Sequence, residues 1–110
     1  MSAYMVFTRK KTLDENELKT YAEKIWPTFE GHQVKVLVGY GRYEVLEGEP
    51  VEAVVILEFP TFDAAKAWYN SPDYRAVIGH RFEGAIYSGF VAEGFSPEVA
   101  QKLDMIQKGP

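Results

Sequence analysis

The chain has 110 residues, which is the size of one domain, and it contains no cysteine, so disulfide and thiol chemistry are excluded. Hydrophobic residues make up 46% and aromatic residues 15%, as in a folded globular protein, so extensive disorder is excluded as well. The net charge of -4 and the lack of a long basic run argue against nucleic-acid binding.

The pattern of residues in the first part of the chain predicts a strand followed by a helix. Tyr4–Thr8 mixes aromatic and β-branched residues and is typical of a strand. Thr12 is predicted as the N-cap of the helix, with Glu15 completing a capping box. Pro27 should bend the last turns. The apolar residues at helical spacing are Leu18, Tyr21, Ile25 and Phe29.

Two further strands are predicted in the middle of the chain. Val34–Val38 is the second strand, and the glycine-rich stretch 39–50 is expected to extend it into a hairpin arm. Glu52–Phe59 is the third strand, and its run Ala53–Leu57 is apolar on both alternating faces. Both faces of such a strand should be covered. Helices can cover one face, but the chain has too few elements for the other, so we predict a homodimer.

The remaining elements are two abutting helices, a strand and a tail helix. Thr61 and Ser71 are the predicted N-caps of the two helices. Ala85–Ala92 is the fourth strand, in which Gly89 indicates a kink or a close approach. The inward residues of the two helices should include the packing anchors Trp68 and Tyr74, followed by Val77, Ile78 and Phe82. The tail helix begins at Ser96 and has a thin apolar stripe made of Val99, Leu103 and Ile106.

This order of elements predicts an α+β fold. Strand, helix, strand, strand, helix, strand is the order of the ferredoxin-like split βαβ unit. We expect a four-stranded antiparallel sheet with helices on one face and a twin subunit on the other. Residues 1–95 should form the domain, and residues 96–110 a separate helical tail.

Two stretches carry a resemblance to a known family. At "EVLEGE" and "VVILEFPTFDAAKAWYNSPDYRA", followed by Arg81, the sequence resembles the domain of unknown function 1330 family. The resemblance covers most of the chain before Phe95 and implies a dimeric α+β barrel with ferredoxin-like subunits. Family members often carry an arginine-glycine-glycine turn where this chain has Val38-Gly39-Tyr40-Gly41, and the tail from Ser96 looks added.

Glu58 and His80 are the candidate catalytic residues. Glu58 shares a strand face with apolar neighbours by alternation, so its carboxylate could act as an acid or base. It could equally be a strand-end carboxylate near solvent, or paired with Arg81 or Arg9. His80, on the second of the abutting helices, could serve as a general base or could be an ordinary boundary residue. Neither His80 nor His32 has metal-ligand spacing, so no metal is expected.

The candidate substrate-binding residues are aromatic and basic. Tyr40 and Arg42 lie in a glycine-rich loop, where exposed residues often bind ligands. Tyr69 and Arg81 complete the set. We expect the site in a cleft between the helix-facing side of the sheet and loop 39–43.

Two functions fit these residues. The first is a cofactor-free enzyme acting on a small molecule, such as a cyclase or isomerase that transfers protons. The second is a non-catalytic dimeric module that binds a small ligand, or a structural accessory protein. No cofactor is expected, because "GYGRY" lacks the last glycine of a dinucleotide fingerprint and does not open a helix. Without a leader-like segment or a membrane span, a cytoplasmic location and no membrane partner are predicted.

Overall fold

The structure, a computed structural model, describes the backbone of residues 1–108 and the side chains of residues 1–104. A 3-10 turn, Trp26–Phe29, follows the first helix. In chain order the elements are β1 (Ala3–Thr12), α1 (Glu15–Lys24), β2 (Lys35–Gly39), β3 (Ala53–Phe59), α2 (Phe62–Tyr69), α3 (Pro72–Gly84), β4 (Ala85–Glu93) and α4 (Pro97–Lys108).

The four strands form one antiparallel sheet in the order β2-β3-β1-β4. Helices α2 and α3 pack on one face of it, and α1 packs against α3. The predicted ferredoxin-like fold, with helices on one face of a four-stranded antiparallel sheet, is therefore confirmed.

The core lies between the sheet and these helices. Successive side chains of a strand point to opposite faces, so every second residue of β1 and β3 points towards the helices. Met5, Phe7, Leu57 and Phe59 are buried there. Trp68 and Tyr74 are fully buried beneath them, so both predicted packing anchors are confirmed. Gly89 of β4 lies so close to the Phe7 ring that a Cβ there would stand 2.8 Å from it.

The start of α1 differs from the prediction. Asp14, not Thr12, is the N-cap, and its carboxylate accepts hydrogen bonds from Asn16 N and Glu17 N. The reason is that β1 continues to Thr12, which pairs with Ala85 of β4. At the other end, α1 stops before Pro27, which is the second residue of the 3-10 turn and has no N–H to donate to a continuing helix.

The predicted hairpin arm is absent. β2 ends at Gly39, and residues 41–50 contain no strand. Leu46 in this loop is 84% exposed, so its apolar residues do not join the core. A bulge between Val36 and Val38 shifts the register of β2 on β3 before the loop begins.

The caps of the abutting helices are confirmed, but one inward residue of α3 is not. The Thr61 hydroxyl accepts from Ala64 N, and the Ser71 hydroxyl accepts from Tyr74 N. Phe82 was predicted to face inward and is 57% exposed. Arg81 is buried in its place, because α3 turns Tyr74, Val77, Ile78 and Arg81 towards the sheet.

The tail forms the predicted helix, α4. Val99 and Leu103, two members of its predicted stripe, are exposed, whereas the side chain of Ile106 lies outside the described residues. That residues 96–110 are separable from the domain stays a prediction. No helix in the described part of the chain is both long and apolar enough to cross a bilayer.

Candidate ligand-binding site

A small cavity lies between the inner face of the sheet and the end of α1. Its volume is about 80 Å³. For comparison, an engineered apolar cavity of about 150 Å³ in another protein holds benzene. The lining is almost wholly apolar and consists of Phe7, Tyr21, Ile25, Trp26, Phe29, Val36, Gly39, Tyr40, Val55, Leu57, Arg81 and Tyr87. The space suits part of an organic ligand better than a whole one.

A second and larger space, the open cleft, lies on the β4 side of the sheet. Its volume is about 350 Å³, which is within the usual range for ligand pockets. Its walls come from β1, β4 and the two abutting helices, and its lining residues include Met5, Phe7, Lys66, Tyr69, Asn70, Arg81, Phe82, Tyr87, Phe90 and Val91. Phe7, Arg81 and Tyr87 line both spaces and form their shared wall.

Arg81 is the most unusual residue of the shared wall. It is only 5% exposed, and its Nε has no hydrogen-bond acceptor. Three rings surround the guanidinium, with Cζ 4.9 Å from the ring centre of Phe7 and 5.1 Å from those of Phe82 and Tyr87. Cation–π contacts of this kind offset part of the cost of burying the charge, but they supply no acceptor for its N–H groups.

The other arginine near the small cavity has a counter-ion. Arg9 Nε makes no hydrogen bond, but it lies 3.5 Å from Glu52 Oε1, which is within ion-pair distance. No ion pair with a carboxylate exists for Arg81 among the residues whose side chains are described. The contrast identifies Arg81 as the buried cation without a counter-ion.

Tyr87 places a second unpartnered group in the shared wall. Its hydroxyl is buried and has no hydrogen-bond partner. Burial first, and then the nearby Tyr40, raise the pKa of the Tyr87 hydroxyl well above its usual range. A phenol is protonated at neutral pH in any case, so this hydroxyl can donate a hydrogen bond.

Tyr40 borders the small cavity in a strained backbone conformation. Its φ is 60°, in the left-handed region that residues with a Cβ rarely adopt. Tyr40 comes directly after Gly39, the last residue of β2, and its backbone N still donates a hydrogen bond to Val54 O at 3.2 Å. Arg9 Cζ lies 5.9 Å from the centre of the Tyr40 ring. Strain of this kind is often found at functional sites, which favours a role for Tyr40.

A pair of tyrosines lies behind the small cavity. The hydroxyls of Tyr21 and Tyr74 are 2.8 Å apart and buried. Burial is the main cause that raises the pKa of both hydroxyls, and the positive charge of Arg81 opposes the shift. The two phenols hydrogen-bond to each other, and the Tyr74 hydroxyl also lies beside the Arg81 guanidinium. Arg81 Nε and the Tyr87 hydroxyl remain the atoms of the lining without a hydrogen-bond partner.

The structure brings three of the predicted site residues to these spaces. Tyr40 and Arg81 line the small cavity, while Tyr69 and Arg81 line the open cleft. Arg42 lies apart from them, in a wide depression of loop 41–50 beside Tyr43 and Glu44. The predicted cleft lies between the helix-facing side of the sheet and loop 39–43, and of that loop only Gly39 and Tyr40 line the small cavity.

Glu58 is not brought to either space. It does share a face with Val54 and Ile56, but that face points away from the helices, because the inward residues of β3 are Ala53, Leu57 and Phe59. Its carboxylate lines a shallow depression with Lys35 and forms no ion pair with Arg81 or Arg9. Glu58 would have to move to the other side of the sheet to reach the cleft.

His80 also lies elsewhere. Its Nδ1 is 2.6 Å from Glu17 Oε2, so the pair joins α3 to α1. The imidazole lines neither the small cavity nor the open cleft. In this position His80 has the contacts of a helix-packing residue.

Sequence reasoning missed Phe7, Tyr21 and Tyr87 as site residues. Phe7 and Tyr87 each occupy inward positions of strands, and Tyr87 pairs with Arg9 across β1 and β4. The register could have placed Tyr87 on the inner face, but it could not have shown an unpartnered hydroxyl. Among the described residues, no group of His, Asp and Glu side chains could hold a metal ion.

A family model described as "Domain of unknown function (DUF1330)" matches residues 2–95. No curated protein sequence matches the chain. Solved structures show the fold. Protein RPA0582 of unknown function from Rhodopseudomonas palustris is 22% identical, with 87% of this chain and 84% of that chain covered and a TM-score of 0.67.

Two more distant structures share the same architecture. A dimeric ferredoxin-like protein of unknown function from Thermobifida fusca is 12% identical, with coverage of 86% and 92% and a TM-score of 0.59. SnoaB, a cofactor-independent oxygenase from Streptomyces nogalater, is 9% identical, with coverage of 86% and 94% and a TM-score of 0.59. At these identities the likeness is one of fold alone.

Proposed function

The chain belongs to the DUF1330 family, and on that premise we propose that it binds a small, largely apolar organic molecule between its sheet and its helices. The observation that carries this proposal is the shared wall of Phe7, Arg81 and Tyr87, which borders both the small cavity and the open cleft. Together the two spaces offer an apolar recess beside a solvent-accessible entrance.

Packing energetics support a ligand in this position. Protein interiors are close-packed, and unfilled apolar space costs stability in proportion to its volume. A recess lined by Tyr21, Phe29 and Leu57 regains those contacts when an apolar group enters it. The aromatic lining also favours planar groups, which stack on rings or meet their edges.

The functional unit in this proposal is a homodimer. The outer face of the sheet, opposite the helices, is formed by Val6, Val54, Ile56, Glu58 and Phe90, and most of it is apolar. Phe90 is largely exposed there in the single chain. A second copy is the simplest cover for such a face, and several structures of the same fold are described as dimeric.

Non-catalytic binding is the function that the geometry supports best. Among the described residues, the linings of the small cavity and the open cleft contain no carboxylate and no imidazole. A proton-transfer enzyme needs a base within hydrogen-bond reach of its substrate. Glu58 and His80, the proton carriers proposed from the sequence, both lie outside this reach.

A cofactor-free enzyme is the second candidate, and Arg81 is the observation that favours it. An unpaired buried cation stabilises negative charge that develops on a bound molecule, such as an enolate formed by loss of a proton. The fold also occurs in SnoaB, which is described as a cofactor-independent oxygenase. This candidate requires a base that the lining residues do not supply.

Binding can be tested by a thermal-shift screen of small aromatic and alicyclic compounds, because a ligand of the native state raises the melting temperature. Val55→Phe fills the small cavity and should abolish the shifts produced by the hits. Leu46→Phe adds the same ring to an exposed loop and should retain them. Equal shifts in both variants would place the ligand elsewhere.

The two candidates are separated by following each hit with the protein in D2O by NMR. An enzyme that transfers protons should exchange a C–H of the hit or convert it over many turnovers. A binding module should leave the compound unchanged at any incubation time. Turnover that survives Val55→Phe would contradict the assignment of this site.

A further inference from the structure

We infer that the ligand is a small monoanionic molecule, a carboxylate or an enolate on an apolar body, whose charged group binds Arg81. The inference rests on the proposed binding function and names the chemical class of the ligand. It follows from one juxtaposition: a guanidinium without a counter-ion in the wall shared by an apolar cavity and an open cleft.

Burial makes an unpaired guanidinium costly. A buried charge loses its hydration, and proteins normally restore the loss with a counter-ion or a full set of hydrogen bonds. Arg75, on the same helix, donates from Nε and Nη2 to Tyr69 O at 2.9 and 2.7 Å, and Arg9 has Glu52. Arg81 has neither kind of partner at Nε although it is far more buried.

The rings around Arg81 leave its Nε donor free for a ligand, while the Tyr74 hydroxyl lies beside the guanidinium. Phe7, Phe82 and Tyr87 contact the guanidinium at distances typical of cation–π contacts. Such contacts fix the orientation of the group without using its N–H donors. A planar carboxylate can accept two parallel hydrogen bonds from a guanidinium held in this way.

The groups beside Arg81 favour an anionic ligand, and their small number indicates that the ligand carries a single negative charge. Tyr87 contributes a buried hydroxyl that forms no hydrogen bond, although Tyr40 and Arg9 lie near it, and a phenol can donate to an anion. The open cleft adds Lys66 and Asn70 at its surface, and no carboxylate lines it among the described residues. One guanidinium and one phenol inside apolar walls match a planar monoanion better than a phosphate, which usually recruits several cations or backbone N–H groups.

The apolar body of the ligand has space on either side of the charged group. The walls of the open cleft include Met5 and Val91, and the small cavity accepts a further apolar group. A neutral molecule of the same shape would leave the guanidinium without its counter-ion. The site should therefore discriminate strongly between a carboxylate and its amide.

The test uses the full chain and two matched pairs of probes: benzoate with benzamide, and 3-phenylpropanoate with its primary amide. Calorimetry and thermal shift measure binding to the natural chain, to Arg81→Met and to Lys19→Met. We expect at least one carboxylate to bind at least tenfold more tightly than its amide. Arg81→Met should lose that preference, whereas Lys19→Met, which removes an exposed charge outside both linings, should retain it.

Arg81→Lys gives a second measurement that does not depend on the stability of the methionine variant. It retains the charge but loses the planar fork, so we expect weaker carboxylate binding with the same order of preference. Equal binding of acids and amides, unchanged by either substitution, would overturn the anion inference and leave the binding function intact. Absence of binding by all four probes and by the wider neutral screen would refute both.

Discussion

Trp68 Nε1 donates a hydrogen bond of 3.1 Å to the hydroxyl of Thr28, forty residues away in the chain. Thr28 is 3% exposed, and its hydroxyl in turn donates to Ile25 O at 2.6 Å. This buried relay joins α2 to the 3-10 turn that follows α1. The turn therefore contributes a polar anchor to the core, and Phe29 packs its ring 5.4 Å from that of Trp68.

Thr28→Val should destabilise the fold by about 1–3 kcal/mol, because the buried indole N–H of Trp68 loses its acceptor while the shape is retained. Thr28→Ser retains the hydroxyl and should lose less. Urea unfolding followed by Trp fluorescence measures both free energies. A larger loss in Thr28→Ser than in Thr28→Val would mean that the Thr28 methyl group, and not its hydroxyl, supports the turn.

Gly84→Ala should destabilise the protein by about 1–3 kcal/mol, the usual cost of overpacking. A Cβ at Gly84 would lie 2.6 Å from Leu18 Cδ2 and 3.0 Å from Leu18 N, so α1 would have to move away from α3. Gly79→Ala is the matched control on the same helix, because nothing lies within 4 Å of its Cβ. Denaturant midpoints for the two variants should differ accordingly, and similar midpoints would contradict close packing at Gly84.

Stability should fall above about pH 10, the ordinary pKa of tyrosine in an unfolded chain. Burial raises the folded-state pKa of Tyr21 and Tyr74, so the folded protein retains protons that the unfolded chain releases. Their contribution is complete below pH 10 and is lost as the pH rises towards the folded-state values. Tyr21→Phe should reduce the slope of unfolding free energy against pH between 10 and 11 and leave it unchanged between 7 and 9.

Ile56→Asp should convert a dimer to monomers, because it places a charge in the centre of the apolar outer face of the sheet. Sedimentation equilibrium at micromolar concentration should give twice the chain mass for the natural protein and the mass of one chain for the variant. Leu46→Asp, in the exposed loop, should remain dimeric. A natural chain that is monomeric at these concentrations would refute the homodimer.

A chain ending at Gly94 should remain folded. Gly94 N donates to Ser2 O at 2.7 Å and completes the pairing of β4 with β1 before the tail begins. Val99 and Leu103 of α4 are exposed, so their loss removes little core. Circular dichroism and urea unfolding of the shortened chain should match the full chain within about 1 kcal/mol, as for changes outside the core. Failure to fold would show that residues 96–110 belong to the domain.

The sequence by itself determined the family, the order of elements and the position of most of the core. Hydrophobic periodicity and helix caps such as Thr61 and Ser71 are local signals, because each depends only on residues within one or two helical turns of one another. The apolar pattern of β3 likewise indicated a strand covered on both faces. These features follow from the preferences of neighbouring residues and need no knowledge of distant contacts.

Only the tertiary structure decided which polar groups are left without partners. Arg81 occupies the inward position predicted for Phe82, because the guanidinium of Arg81 packs among rings contributed by β1, β4 and α3. Glu58 and His80 are both catalytic candidates in the sequence, yet Glu58 faces away from the helices and His80 pairs with Glu17. Burial and pairing depend on residues far apart in the chain, so the site could not be read from local pattern.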